Sequence, residues 1–228
     1  MAEVLERRFG DRLCPAKLWD HIINTDVDDF DAYSGHFGPW LADHLNRPLR
    51  SFTLLRDPVA RTVSHYRHVE RAVDHPFHRL TAGRSLAEWV RDPRMALMIE
   101  NYQARYLARV AAPWPLREGL TADQLAGAAL QVRFDQATLG VPSHVLQREA
   151  EATLDRLAFV GTTEDFLTAA SWLGVEPLAR ANVAPGTPPI IDSETRALIE
   201  ELTAVDRVLY EAVRRTRRES AEGRIEAA

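Results

Sequence analysis

Arg56 and Ser64 stand eight positions apart in "LLRDPVARTVSHYRH", and their types and spacing suit the recognition of an anion. A guanidinium presents a planar fork that matches phosphate oxygens, and a serine hydroxyl adds one more donor. Asp57 and Pro58 read as the N-cap and first residue of a helix, which sets Arg56 at the carboxyl end of the apolar strand "SFTLL". Unpaired N–H groups at such a helix start favour negative charge. Ser64 falls nearly two turns into the helix. An arginine beside an ordinary N-cap needs no ligand, so spacing alone leaves both readings open.

The histidines suggest two further chemistries. His36 sits in "SGHFG", a glycine-flanked turn at the end of a predicted strand, and imidazole titrates near neutrality. A polar histidine in a tight turn is the plainer alternative. His65 and His68 are three apart on the predicted helix, with His75 and His78 close behind. Zinc requires three or four ligands, and no cysteine or carboxylate joins these histidines at a ligand spacing, so no metal is expected.

The elements that must carry these residues follow from the hydrophobic pattern. Residues 2–9 form a helix stopped by Gly10, and "AYSGHFG" reads as a short strand that breaks at Gly35. "WLADHL" is a short helix, "SFTLL" a buried strand, and Val59, Val63 and Tyr66 mark the inner face of the helix after Asp57. "SLAEWV" and "PRMALMIENYQARYLARV" read as helices, the second long and amphipathic. "HVLQREAEATLDRL", "AFVGT" and "TEDFLTAASWLG" read as helix, strand and helix, and a final helix runs from about Ser193 to Arg217. Strands alternating with helices predict an α/β fold around a central parallel sheet. Ligands of such sheets bind off the carboxyl ends of the strands.

Composition agrees with one globular domain over residues 1–228, with 218–228 a disordered tail. Residues that are 46% hydrophobic and 27% charged exclude a disordered chain, and no apolar run reaches the roughly 20 residues of a membrane span. A net charge of −5 gives no global attraction to nucleic acid, so an anion site must be local. Of the 28 basic residues only Lys17 is a lysine, a bias expected of GC-rich coding sequence. Cys14 is the one cysteine, which excludes a disulfide framework. The charged, amphipathic N-terminus is unlike a signal peptide, and a cytoplasmic location is expected.

"LLRDPVARTVSHYRH" resembles the 3′-phosphate-binding segment of sulfotransferases that use 3′-phosphoadenosine 5′-phosphosulfate. "AYSGHFG", "ENYQARYLA", "FVGTTEDF", "ANVAP" and "LIEELTAVDRVLYEAV" fall in the order seen in the branch that includes uronyl and heparan 2-O-sulfotransferases, so the likeness covers most of residues 1–215. The resemblance implies a three-layer fold like that of P-loop NTPases, with Arg56 and Ser64 holding the 3′-phosphate and no metal required. It also implies that His36 is the base that takes the proton of a hydroxyl acceptor. The branch suggests a carbohydrate acceptor, with small metabolites and peptide tyrosines as alternatives. Asn101, Gln103, Arg105 and Asn182 are candidates for the acceptor cleft on the same ground. Neither nucleic acid nor membrane is an expected partner; an oligomer is possible.

One part of the family pattern is missing. Such enzymes open with a strand and a Pro-Lys-Thr-x-Gly-Thr-Ser loop that cradles the 5′-phosphosulfate. This sequence has no such loop, and Lys17 follows the first helix instead of preceding it. Aligned on the shared motifs, Met1 falls inside the helix after that loop, which implies a sheet without its first strand. The chain as given is therefore expected to transfer sulfate poorly. The alternative is a non-catalytic nucleotide-binding or interaction module. An unrelated phosphotransferase is disfavoured by the lack of a Walker-type lysine.

Overall fold

The computed structural model describes residues 1–23, 26–110, 129–175 and 191–225. In chain order α1 is Ala2–Phe9, α2 Trp19–Ile22, α3 Leu41–His44, β1 Phe52–Leu55 and α4 Pro58–Arg71. Next come α5 His78–Thr81, α6 Leu86–Arg91, α7 Ala96–Ile99 and α8 Tyr102–Leu107. After these stand α9 Ala129–Leu139, α10 Ser143–Leu154, β2 Phe159–Thr162, α11 Phe166–Trp172, α12 Ser193–Leu202 and α13 Ala204–Ile225. The α/β class is as expected, with β1 and β2 forming a two-stranded parallel sheet. The residues fall into two compact units: 1–54 with 104–181, and 55–103 with 182–228.

In the first unit, the apolar and β-branched residues of "FTLL" and "FVGT" favour the pleated state. The Ala158 N–H donates to the Ser51 carbonyl at 2.8 Å, at the lower end of the ladder. Phe52 and Phe159 both pack on Trp172 of α11, with ring centroids 5.6 and 5.5 Å away, and Arg50 lies 4.4 Å over the same indole. A separate core gathers Trp19, Ile22, Phe37, Leu41 and Leu45 around the buried Cys14. Each large apolar side chain sealed there stabilises the unit by about 1.5–3 kcal/mol. "AYSGHFG" is no strand; among the described residues its ladder contact is a single parallel bridge between Leu13 and Ala32. The chain turns at Gly35 and Gly38 before it can pair, where the Lys17 and Tyr106 carbonyls lie close to the two glycines.

In the second unit, α4 buries Pro58, Val59, Thr62, Val63, Tyr66 and Val69, the three-and-four spacing of one helix face. That face meets Trp89 and Val90 of α6, Met98 and Ile99 of α7, and Ile199 of α12. Helix α6 forms where "SLAEWV" suggested a helix, and it starts in a reciprocal capping box between Ser85 and Glu88.

Two long helices expected from the pattern are broken, and one residue accounts for both breaks. "PRMALMIENYQARYLARV" divides into a 3-10 turn, α7 and α8, and the final helix divides at Thr203. Asn101 takes a left-handed backbone, φ 41°, which asparagine tolerates better than most residues. Its N–H donates to the Leu202 carbonyl at 3.1 Å, and its Oδ1 accepts the Val205 N–H at 2.9 Å. Asn101 thus caps the start of α13 from a distant part of the chain. Helix α13 continues to Ile225, through most of the segment expected as a disordered tail. Among the described residues no helix is long and apolar enough to cross a membrane.

Candidate functional site

Arg56 follows β1 directly, and α4 begins two residues later at Pro58. The Asp57 carboxylate accepts the Ala60 N–H at 2.8 Å, as an N-cap should. Pro58 has no N–H, so the helix start offers an anion less than the sequence promised. What remains is side-chain chemistry. The Arg56 backbone is held on both sides by one amide: its N–H donates to Gln103 Oε1 at 2.8 Å, and its carbonyl accepts from Gln103 Nε2 at 2.9 Å. The Gln103 N–H in turn donates to Asp206 Oδ2 at 3.1 Å. With the main chain locked in this way, the half-buried Arg56 guanidinium makes no hydrogen bond or ion pair with any described residue.

Arg61, one turn into α4, is the contrast. Its guanidinium donates to the Met98 carbonyl, contacts His65 Nδ1 at 2.7 Å and lies 3.7 Å over the Tyr102 ring. Ser64 lies on the same helix face as Ala60 and Arg61. Thr62 bonds back to the Pro58 carbonyl at 2.9 Å, but Ser64 Oγ has no partner among the described residues. The second unit therefore keeps two groups uncommitted among the described residues, the Arg56 guanidinium at the end of β1 and the Ser64 hydroxyl nearly two turns into α4.

His36 belongs to the first unit and is described within it. Its N–H donates to the Lys17 carbonyl at 2.8 Å, and its exposed ring stands edge-on to Tyr106, with centroids 5.3 Å apart. The loop is tight on both sides of the histidine. A Cβ on Gly35 would lie 2.5 Å from the Lys17 carbonyl oxygen, and Gly38, at φ 58°, would bring one within 2.4 Å of the Tyr106 carbonyl oxygen. Behind the ring, the Tyr106 hydroxyl donates to Asp135 Oδ1 at 2.8 Å and accepts from Gln131 Nε2 at 2.7 Å. The Gln131 N–H donates to the buried Asp20 carboxylate at 3.0 Å. His36 is thus an exposed imidazole on a stiff support.

The acceptor-cleft candidates divide differently. Asn101 and Gln103 are engaged as cap and clamp. Arg105 is buried and donates to the Asp135 carbonyl at 2.9 Å and Thr138 Oγ1 at 3.3 Å, both within the first unit. Asn182 lies outside the described residues. Gln103, expected in the acceptor cleft, is instead a clamp on the Arg56 backbone, and Tyr106 is a support that sequence reasoning missed. Neither carried a local signal, since each acts on a loop far away in the chain.

Among the described residues no group of His, Cys, Asp or Glu is arranged to hold a metal. His65, His68 and His75 do gather, with ring centroids 5.9–6.4 Å apart. Compared with known proteins, the sequence matches no family model and no curated protein.

Proposed function

We propose that this protein is of sulfotransferase type and binds the 3′-phosphate of 3′-phosphoadenosine 5′-phosphosulfate, or of its product adenosine 3′,5′-bisphosphate, through Arg56 and Ser64. One observation carries the reading: a half-buried guanidinium whose backbone is clamped by Gln103 while its own donors engage no described residue. Half-burying a permanent charge without a partner is unfavourable, so a site of this kind is suited to an anion that supplies one. The half-buried Ser64 of α4, whose hydroxyl has no partner among the described residues, supports the same ligand. The wider three-layer fold of that family belongs to the proposal and rests on the resemblance of the motifs.

In the transfer reaction the acceptor oxygen forms a bond to sulfur while the bond from sulfur to the bridging phosphate oxygen breaks. That electron pair leaves with adenosine 3′,5′-bisphosphate, and His36 takes the acceptor proton. An exposed imidazole seated on Tyr106 suits that role. The acceptor is a hydroxyl compound, with carbohydrate the class that the motif order suggests. A binding module without transfer is the second reading, since Arg56 and Ser64 would hold only the 3′ end of the nucleotide and not the bond that reacts.

Calorimetry with adenosine 3′,5′-bisphosphate and with adenosine 5′-monophosphate tests the site. The bisphosphate should bind more tightly, and Arg56→Ala should weaken it roughly ten- to a hundredfold, the worth of one charge-assisted contact. Ser64→Ala should weaken it less. Equal binding of the two nucleotides, or unchanged affinity in both variants, refutes the assignment. If binding holds, a sulfate-transfer assay separates the readings: a binding module transfers nothing, whereas an active enzyme does and should slow by roughly 10²–10⁴ on His36→Ala.

A further inference from the structure

The histidines gathered at the end of α4 have no part in the proposed site, and their hydrogen bonds carry an inference of their own. After α4 the chain runs from Ala72 through Asp74 to His75 and then into α5. His75 is half-buried, and its ring meets those of His65 at 6.2 Å, His68 at 5.9 Å and Phe77 at 6.1 Å. Its Nδ1 accepts the Phe77 N–H at 3.2 Å. A backbone amide can only donate, so this bond requires an unprotonated Nδ1 and therefore a neutral His75. Three residues on, His78 Nδ1 donates to the Val69 carbonyl of α4 at 3.0 Å, a bond that survives protonation.

We propose that His75 is an acid-sensitive latch: neutral, it fastens residues 72–82 against the end of α4; protonated, it lets that segment go. The titratable groups facing it are His65 and His68 from α4 and His78 from α5. Among the described residues no carboxylate is ion-paired with His68, His75 or His78, so nothing there favours the imidazolium. Burial holds the His75 imidazolium below the usual histidine range, and the charges of His68 and His78 add to the effect. Phe77 and Leu80, which pack against the core of this unit, lie on the segment that opens. Acid would therefore expose an apolar edge.

The sign follows from linkage. An unfolded histidine titrates near pH ~6.5, and His75 in the fold titrates lower, so the opened segment binds more protons between the two values. The latch is complete above about pH 6.5 and fails as the pH falls through the folded value.

Hydrogen exchange on the full chain, corrected for intrinsic rates, gives the test at about pH 7.5 and about pH 5. Amides of residues 72–82 should lose roughly two- to tenfold protection in acid, the worth of one net hydrogen bond, while α6 and α12 keep theirs. His75→Gln, whose carbonyl can accept the Phe77 N–H without titrating, should make protection independent of pH. Should that variant open the segment at both values, proton NMR of the parent decides: a His75 midpoint below the ordinary range upholds the latch. A midpoint at or above that range, or protection in the parent that ignores pH, overturns it. Chelator is present throughout one series; a response abolished by chelator would mean a bound metal and would also overturn it.

Discussion

Gln103→Leu removes the clamp on Arg56 while keeping a side chain of similar volume. Two hydrogen bonds go, at 2.8 and 2.9 Å, and they leave the Arg56 N–H and carbonyl without their partner. A net hydrogen bond contributes about 0.5–1.5 kcal/mol, and a buried group left unsatisfied costs about 1–3 kcal/mol. Arg56 is only half-buried, so water recovers part of that cost, and a loss of about 2–3 kcal/mol is expected. Against a total stability of about 5–15 kcal/mol this is a large fraction. Urea unfolding measures it directly: the midpoint should fall with the slope unchanged. Nucleotide affinity should fall too, because the guanidinium loses the backbone that aims it. An acceptor-lining glutamine predicts the opposite pattern, with stability kept and only turnover reduced. Stability within about 0.5 kcal/mol of the parent would refute the clamp.

Gly38→Ala should be among the most damaging small substitutions in the first unit. The left-handed φ of 58° costs a non-glycine residue about 1–2 kcal/mol, and the contact with the Tyr106 carbonyl oxygen cannot be relieved by a side-chain rotation, so a drop of about 2–4 kcal/mol in thermal or urea unfolding is expected. Asp92→Asn probes a different charge. Hydrogen bonds from Arg94 hold the Asp92 carboxyl well below the usual carboxylate range, with Arg84 adding to them. The variant should lose about 1–2 kcal/mol at neutral pH, discounted because both arginines are partly exposed. A depressed carboxylate stabilises the fold above its unfolded value near pH ~4 and stops doing so as pH falls through the folded one. The gap between variant and parent should therefore close in acid. A gap that does not shrink between pH ~7 and pH ~2 would show that Asp92 matters for shape and not for charge.

The sequence by itself determined what depends on neighbours along the chain. The strand "FTLL", the Asp57 cap, the inner face of α4 and the helix through "SLAEWV" were all legible, because propensity, capping and periodicity act within a few residues. Arg56 and Ser64 could be singled out on the same terms. Tertiary structure decided the rest. No Gly or Pro lies between Ala96 and Val110 to announce a break, yet the helix stops at Asn101, because that residue satisfies the Leu202 carbonyl and the Val205 N–H. The expected strand through "AYSGHFG" gave way to a turn once Gly35 and Gly38 were pressed against the Lys17 and Tyr106 carbonyls. Likewise, only folding could show that Gln103 is a clamp, that Arg105 is buried and that His75 meets His65 and His68. Each of these roles depends on groups brought together across long stretches of chain, and their stabilisation exists only after the loops between them have closed.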